Sequence, residues 1–305
     1  MKQTIFTILL FTAIGLVSCK KDKYEPDIKQ YDEDQITAYI KANNLTGMIR
    51  DTSGIYYKIA NPGAGTAIQY TDSISMVYTL NSFDGKYISN DTTTNHFENF
   101  VGHINATGYP LGLQNAIYNI VNHRGAIARL LIPSHLAYGV SGTGSGSSTL
   151  TNSRISGNQS LDYYIHIISD QNAYDQLVIK NYLASNGLTG SIKQDPSGIW
   201  YLITTPGTGT VAITDSSTIT ATYTLKIFNG TIVDQYNTGG GVSIDIPDII
   251  KGMQYALKNY ATAGTLMSVI IPSSLAYGKT PHSSIITVPA NSCIRYDIQL
   301  LDVSP

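Results

Sequence analysis

The chain has 305 residues, room for two ordinary domains, and 42% of them are hydrophobic, which excludes a wholly disordered protein. Charged residues make up only 13% and the net charge is −2, which excludes the basic footprint of a nucleic-acid binder and a strongly acidic partner surface. In place of charge stand 22 Tyr, 27 Gly and many Ser, Thr and Asn, a balance that favours β-rich domains with uncharged polar surfaces.

At the N-terminus Met1-Lys2 precede an apolar run from Ile5 to Val17, then Ser18-Cys19 and Lys20-Lys21. A positive start and an apolar core of this length form an export signal, too short for a conventional transmembrane span. Leu16-Val17-Ser18-Cys19 resembles the bacterial lipobox, in which the cysteine is lipidated and becomes the first residue of the mature chain. The alternative is an ordinary signal peptide with an incidental cysteine. Residues 1–19 are read as a lipoprotein signal peptide and 20–33 as a linker. The expected location is the cell envelope, anchored by lipid, with the outer membrane favoured and its face left open. Cys293 then has no partner in the chain and is expected to be a small core residue.

From here the chain reads as two units, 34–169 and 170–305. Each opens with a short amphipathic helix, expected over Asp34–Asn43 and Asp175–Ser185, stopped by Asn and Gly. A strand follows at Gly54–Ile59 or Gly198–Ile203, then a Pro-Gly-x-Gly turn at Pro62 or Pro206. Strands around Ser73–Leu80 and Thr218–Ile227 turn at Asp84-Gly85 and Asn229-Gly230, both strong hairpin signals. Second helices fit Leu111–Val121 and Ile250–Asn259, and each unit closes with an apolar strand, a turn-rich loop and an alternating final strand. The apolar strand ends in Ile132-Pro-Ser-His-Leu-Ala-Tyr-Gly139 and again in Ile271-Pro-Ser-Ser-Leu-Ala-Tyr-Gly278, seven of eight positions alike. Order is kept throughout while the offset falls from 143 (Tyr39 to Tyr182) to 133 (Leu161 to Ile294). A period this long means two tandem domains rather than a solenoid. The pattern predicts an α+β fold, with a mostly antiparallel twisted sheet wrapped on a short helix and an extra N-terminal helix in each repeat.

The second unit resembles the FK506-binding-protein family of peptidyl-prolyl cis-trans isomerases. The likeness is carried by Tyr223, the Asn229-Gly230 hairpin, Val233-Asp234 and Ile249-Ile250-Lys251-Gly252. It continues in Ile271-Pro272, Ala276-Tyr277-Gly278, Val288-Pro289-Ala290-Asn291 and Tyr296 to Leu301. The whole chain is similar to tandem FKBP-type lipoproteins of Bacteroidetes-like bacteria. The resemblance implies two FKBP-like domains and a catalytic set of Tyr277 as hydroxyl donor, Asp234 at the rim and Tyr223 as wall. It implies substrate contacts from Val233, Ile249, Ile250, Met253, Val288 and Tyr296, with Met253 on the floor where the family has Trp. Val242 and Ile244 are the best candidates for the family's central aromatic pair.

In the first unit Tyr78, Tyr138 and Tyr163 align with Tyr223, Tyr277 and Tyr296, Leu113 takes the floor, and Ile88-Ser89 stands where Val233-Asp234 stands. The rim acid is therefore lost and the first pocket is expected to be degenerate. The resemblance implies prolyl-containing polypeptides as partners, a membrane contact through lipid on Cys19, no nucleic acid and no cofactor. The six histidines show no metal-ligand spacing, and no nucleophile elbow, P-loop or CxxC motif is present. A non-enzymatic module that holds a peptide, protein or glycan is the alternative, and a spacer lipoprotein the third reading.

Overall fold

The computed structural model describes residues 27–147, 151–283 and 286–305. The export signal and Cys19 lie outside the described residues. Among the described residues no helix is long and apolar enough to cross a membrane.

The first repeat contains α1 (Ile28–Ala42), β1 (Ile49–Arg50), β2 (Tyr56–Asn61), β3 (Ser73–Ser82), β4 (Ile88–Ser89), β5 (His96–Phe100), α2 (Leu111–Asn119), β6 (Ile127–Ile132) and β7 (Leu161–Ile168). The second contains α3 (Gln171–Ser185), β8 (Lys193–Gln194), β9 (Trp200–Thr205), β10 (Thr218–Ile227), β11 (Ile232–Tyr236), β12 (Val242–Asp245), α4 (Lys251–Tyr260) and β13 (Leu266–Ile271). It closes with the small β14 (His282–Ser283) and β15 (Thr287–Val288) and the long β16 (Ile294–Ser304). The first sheet runs β1-β2-β6-β7-β3-β4 with β5 also on β3. The second runs β8-β9-β13-β16-β10-β11 with β12 on β10, the same order strand for strand. Every described pairing between these strands is antiparallel.

Period-two alternation builds the core. In β3 the side chains of Ile74, Met76 and Leu80 are buried, and in β10 those of Ile219, Ala221 and Leu225. On each sheet lies one helix, contributing Leu113, Ala116 and Ile117 in α2 and Met253, Ala256 and Leu257 in α4. A glycine brings each helix close. A Cβ on Gly112 would sit 2.4 Å from Ile132 Cγ2, and one on Gly252 would sit 2.4 Å from Ile271 Cγ2. The hairpins turn on left-handed glycines, Gly85 at φ +67° and Gly230 at φ +90°. Cys293 is a buried free thiol.

The N-terminal helices begin earlier than the sequence pattern predicts, α1 at Ile28 rather than Asp34 and α3 at Gln171 rather than Asp175. Residues 28–33 of the expected linker are therefore helical. The cause is a buried acid in the early turns, which hydropathy reads as surface. Asp32 Oδ2 accepts from the His135 N–H at 3.1 Å and lies 2.7 Å from His135 Nδ1. Asp175 Oδ2 accepts from the Ser273 N–H and the Ser273 hydroxyl, both at 2.7 Å. Both acids thus meet the doubled octapeptide, though at neighbouring positions, since His135 is the one residue of the eight that differs in the second copy. The strand ends at Ile-Pro, a short 3-10 turn follows over Ser134–Leu136 or Ser273–Leu275, and the acid holds the start of that turn. The turn delivers Tyr138 or Tyr277, and then Gly139 (φ +58°) or Gly278 (φ +65°) releases the chain.

The two repeats also touch. Glu98 on β5 accepts from Asn291 Nδ2 at 2.8 Å and pairs with Lys279 Nζ at 3.1 Å. His96 Nδ1 lies 2.6 Å from the Ala290 carbonyl oxygen, and Asn229 Nδ2 donates to Asp91 at 2.7 Å.

Candidate functional site: two unlike pockets on one scaffold

In the second repeat Tyr223, Asp234, Ile249, Ile250, Met253, Tyr277 and Tyr296 converge on a pocket of about 260 Å³. Val242 and Ile244 from β12 complete the apolar wall, together with Ile219 and Ile298. The strands supply the walls. The step from Ile246 into α4 presents Ile249 and Ile250, and Met253 comes from the first turn of that helix. A pocket of this size, below the range for drug-sized ligands, suits a single small ring.

Its polar groups are few and mutually arranged. The Tyr223 hydroxyl donates to Asp234 Oδ2 at 2.7 Å, closing one side of the rim. Tyr277 and Tyr296 interact through their hydroxyls, and the Tyr277 ring stacks on His282 at 4.0 Å. Burial pushes all three phenols upward, Tyr223 further through its bond to Asp234 and Tyr296 further through Tyr277. They stay protonated at neutral pH and serve as donors. The resemblance places Val233 and Val288 in the site, but the structure puts both fully in the core. A β-bulge leaves Val233 between the Leu225–Asp234 and Lys226–Ile232 pairs and turns it into the core, while Asp234 faces the pocket. The sequence reading missed His282 and Asp248, which also line the pocket; neither sits in a motif that would have singled it out.

In the first repeat Tyr78, Tyr138 and Tyr163 meet around a larger cavity of about 420 Å³. Leu113 is fully buried within the core instead of lining it. Ile88 points outward and is 44% exposed, and Tyr87 takes the place expected for it. Leu80 pairs with Ser89 as Leu225 pairs with Asp234, but the next pair is Asn81 with Ile88 where the second repeat skips Val233 and pairs Lys226 with Ile232, so Ile88 takes the outward place of Ile232. Tyr109 stands where Ile249 stands, and the Tyr78 hydroxyl donates to the Tyr109 oxygen at 3.2 Å. Tyr87, Tyr109 and Arg154 escaped the sequence reading. Tyr109 could have been found by extending the Met253-to-Leu113 offset of 140 back to Ile249. Arg154 follows the Gly/Ser-rich stretch 139–153 and aligns at the closing offset of 133 with the uncharged Thr287, so no motif singled it out.

Residues 209–301 match the family model described as FKBP-type peptidyl-prolyl cis-trans isomerase. Over 129 residues the chain is 36% identical to the FKBP-type peptidyl-prolyl cis-trans isomerase FkpA of Buchnera aphidicola, covering 42% of this chain and 50% of that protein. Over 127 residues it is 31% identical to FkpA of Escherichia coli strain K12, covering 41% of this chain and 45% of that protein. The crystal structure of FkpA from Escherichia coli matches at 30% identity and a TM-score of 0.38, covering 44% of this chain and 61% of that one. The chain thus spans about half the length of the curated relatives it matches.

Proposed function

Starting from the place of the second repeat in the FKBP-type peptidyl-prolyl isomerase family, we propose that its pocket catalyses cis-trans isomerisation of prolyl bonds in exported polypeptides. An X-Pro bond rotates over a barrier of about 18–20 kcal/mol set by amide resonance and takes tens to hundreds of seconds to do so. Lowering that barrier requires no acid or base. It requires a dry site that favours the twisted amide over the planar one.

The observation that carries this reading is the pocket composition. Ile249, Ile250, Met253, Val242 and Ile244 hold the prolyl ring and exclude water, while Tyr277 and Tyr296 keep neutral hydroxyls inside the same wall. Tyr277 is the donor for the amide carbonyl as it rotates, and the Tyr223–Asp234 pair shapes the rim. The mechanism calls on no metal, nucleotide or organic cofactor. Export and a lipid on Cys19 complete the proposal, supported by the Met1–Cys19 pattern, and place the protein at the envelope.

A protease-free proline isomerisation assay on the full chain tests the enzyme reading. Ile250→Asp, which puts a charge in the apolar wall, should return the rate to the uncatalysed level, and Tyr78→Phe in the first repeat should leave it unchanged. A wild-type chain that binds prolyl peptides without accelerating their isomerisation would establish the rival, a recognition module. For the anchor, Cys19→Ala should move the protein out of the membrane fraction and abolish acyl labelling.

A further inference from the structure

We propose that the cavity of the first repeat binds the free C-terminal carboxylate of an extended polypeptide, with Arg154 as its charged anchor.

The first argument is the reversed charge. The second pocket carries Asp234 at its rim, and the matching register position in the first repeat is Ser89. Among the residues lining the first cavity, Arg154 is the one charged side chain and no carboxylate accompanies it. Its Nη2 donates to the Ser141 carbonyl at a long 3.3 Å, and its Nε is buried with no hydrogen-bond partner among the described residues. The buried Nε lies out of a guest's reach, but the terminal Nη groups of this cavity-lining side chain have that one long bond among the described residues and so keep donors for a guest. A carboxylate is the planar, two-oxygen group whose geometry matches a guanidinium fork.

The arginine is held in place rather than adrift in its loop. Ile155 next to it exchanges backbone hydrogen bonds with Thr143, both at 2.9 Å, and is buried. On the other side Asn152 accepts from the Ile88 N–H at 2.6 Å and donates its own N–H to the Lys86 carbonyl at 2.8 Å. Around the cavity stand the phenols of Tyr78, Tyr87, Tyr109, Tyr138 and Tyr163. Burial raises Tyr78, Tyr138 and Tyr163, so they present neutral hydroxyls to an acceptor-rich guest.

A polypeptide is favoured over a small anion or a sugar acid by what adjoins the cavity. Thr107 and Tyr109 also line a second groove of about 380 Å³, walled by Phe97, Pro281, Pro289 and Ala290. This groove runs beside β5, which pairs only with β3 among the described strands and so leaves an edge. An apolar lane along a strand edge accepts an extended chain, leaving its terminus to enter the cavity.

The test uses calorimetry on the full chain carrying Cys19→Ala, with twenty pools of tripeptides, each pool fixed at its C-terminal residue. Each pool is offered as free acid and as C-terminal amide, with galacturonate as a separate probe. At least one acid pool should bind tenfold or more tightly than its amide. Arg154→Gln should erase that difference with thermal unfolding unchanged, and Tyr109→Phe should weaken the acid at least threefold. Ile250→Asp should leave it intact, which separates this site from the isomerase pocket. Equal binding of acids and amides, no binding by any pool, or an acid preference that survives Arg154→Gln overturns the proposal. Galacturonate binding more tightly than every tripeptide acid overturns the assignment to a polypeptide.

Discussion

The two pockets occupy the same place in the same strand order, yet one is a small apolar slot and the other a larger box of phenols with an arginine. Everything that supports the pocket is present twice. Asp32 and Asp175 hold the 3-10 turn, Gly112 and Gly252 seat the helix, and Tyr138 and Tyr277 follow the turn. What differs is the lining, where Ile249-Ile250 becomes Tyr109-Pro110 and Asp234 becomes Ser89. The contrast separates the residues that make this fold from those that give it a chemistry.

Breaking the shared support should have the largest effect. Asp175→Ala leaves the Ser273 N–H and hydroxyl buried without an acceptor, which should cost about 2–6 kcal/mol in urea unfolding, at about 1–3 kcal/mol for each unsatisfied group. The loss in Asp32→Ala should be smaller, about 1–2 kcal/mol, because the His135 side chain is one-fifth exposed and water can replace part of the contact. Equal losses would mean that the two turns are not supported in the way described. Next in size is a test of the chemistry. Tyr277→Phe removes one donor while keeping the ring, and isomerase activity of the full chain should fall roughly tenfold, the equivalent of about 1.4 kcal/mol. Tyr138→Phe should leave that activity unchanged, and a comparable fall there would place catalysis in both repeats.

The smallest expected effect is a slope. Burial raises the Asp175 carboxyl above its ordinary value of 3.8. The folded state then holds that proton more readily than the unfolded one, so stability from this group is fullest in acid. It is lost as pH rises from the unfolded value through the folded one. Asp175→Asn should flatten this part of the stability–pH curve, measured by urea unfolding at steps between about pH 3 and pH 7. An unchanged slope would show that Asp175 is not the group responsible.

Much of the fold was legible because its signals are local. The Asp84-Gly85 and Asn229-Gly230 turns, the alternation in β3 and β10 and the doubled octapeptide all lie within short windows. The pocket was less legible where a residue's direction depends on tertiary context. Val233 and Ile88 sit on short strands whose facing is set by pairing, so one turned into the core and the other toward solvent. The early starts of α1 and α3 were hidden because Asp32 and Asp175 carry charge yet are buried, a role that only the distant turn explains. Arg154 was invisible for another reason. At the offset that pairs Leu161 with Ile294 it stands opposite Thr287, an uncharged residue, so the repeat offered no charge to match it.

Glu98 has a consequence for the neighbouring repeat. Its two carboxylate oxygens hold Lys279 and Asn291, and between those positions lie His282, which walls the second pocket, and Val288 in the core beneath. The freedom of a loop depends on how its ends are held, and here one side chain of the first repeat meets both, Asn291 in a buried contact and Lys279 in an exposed ion pair. The configurational entropy of that stretch is therefore a property of the pair of repeats and not of the second alone. The first repeat, whatever it binds, thus takes part in placing one wall of the second pocket.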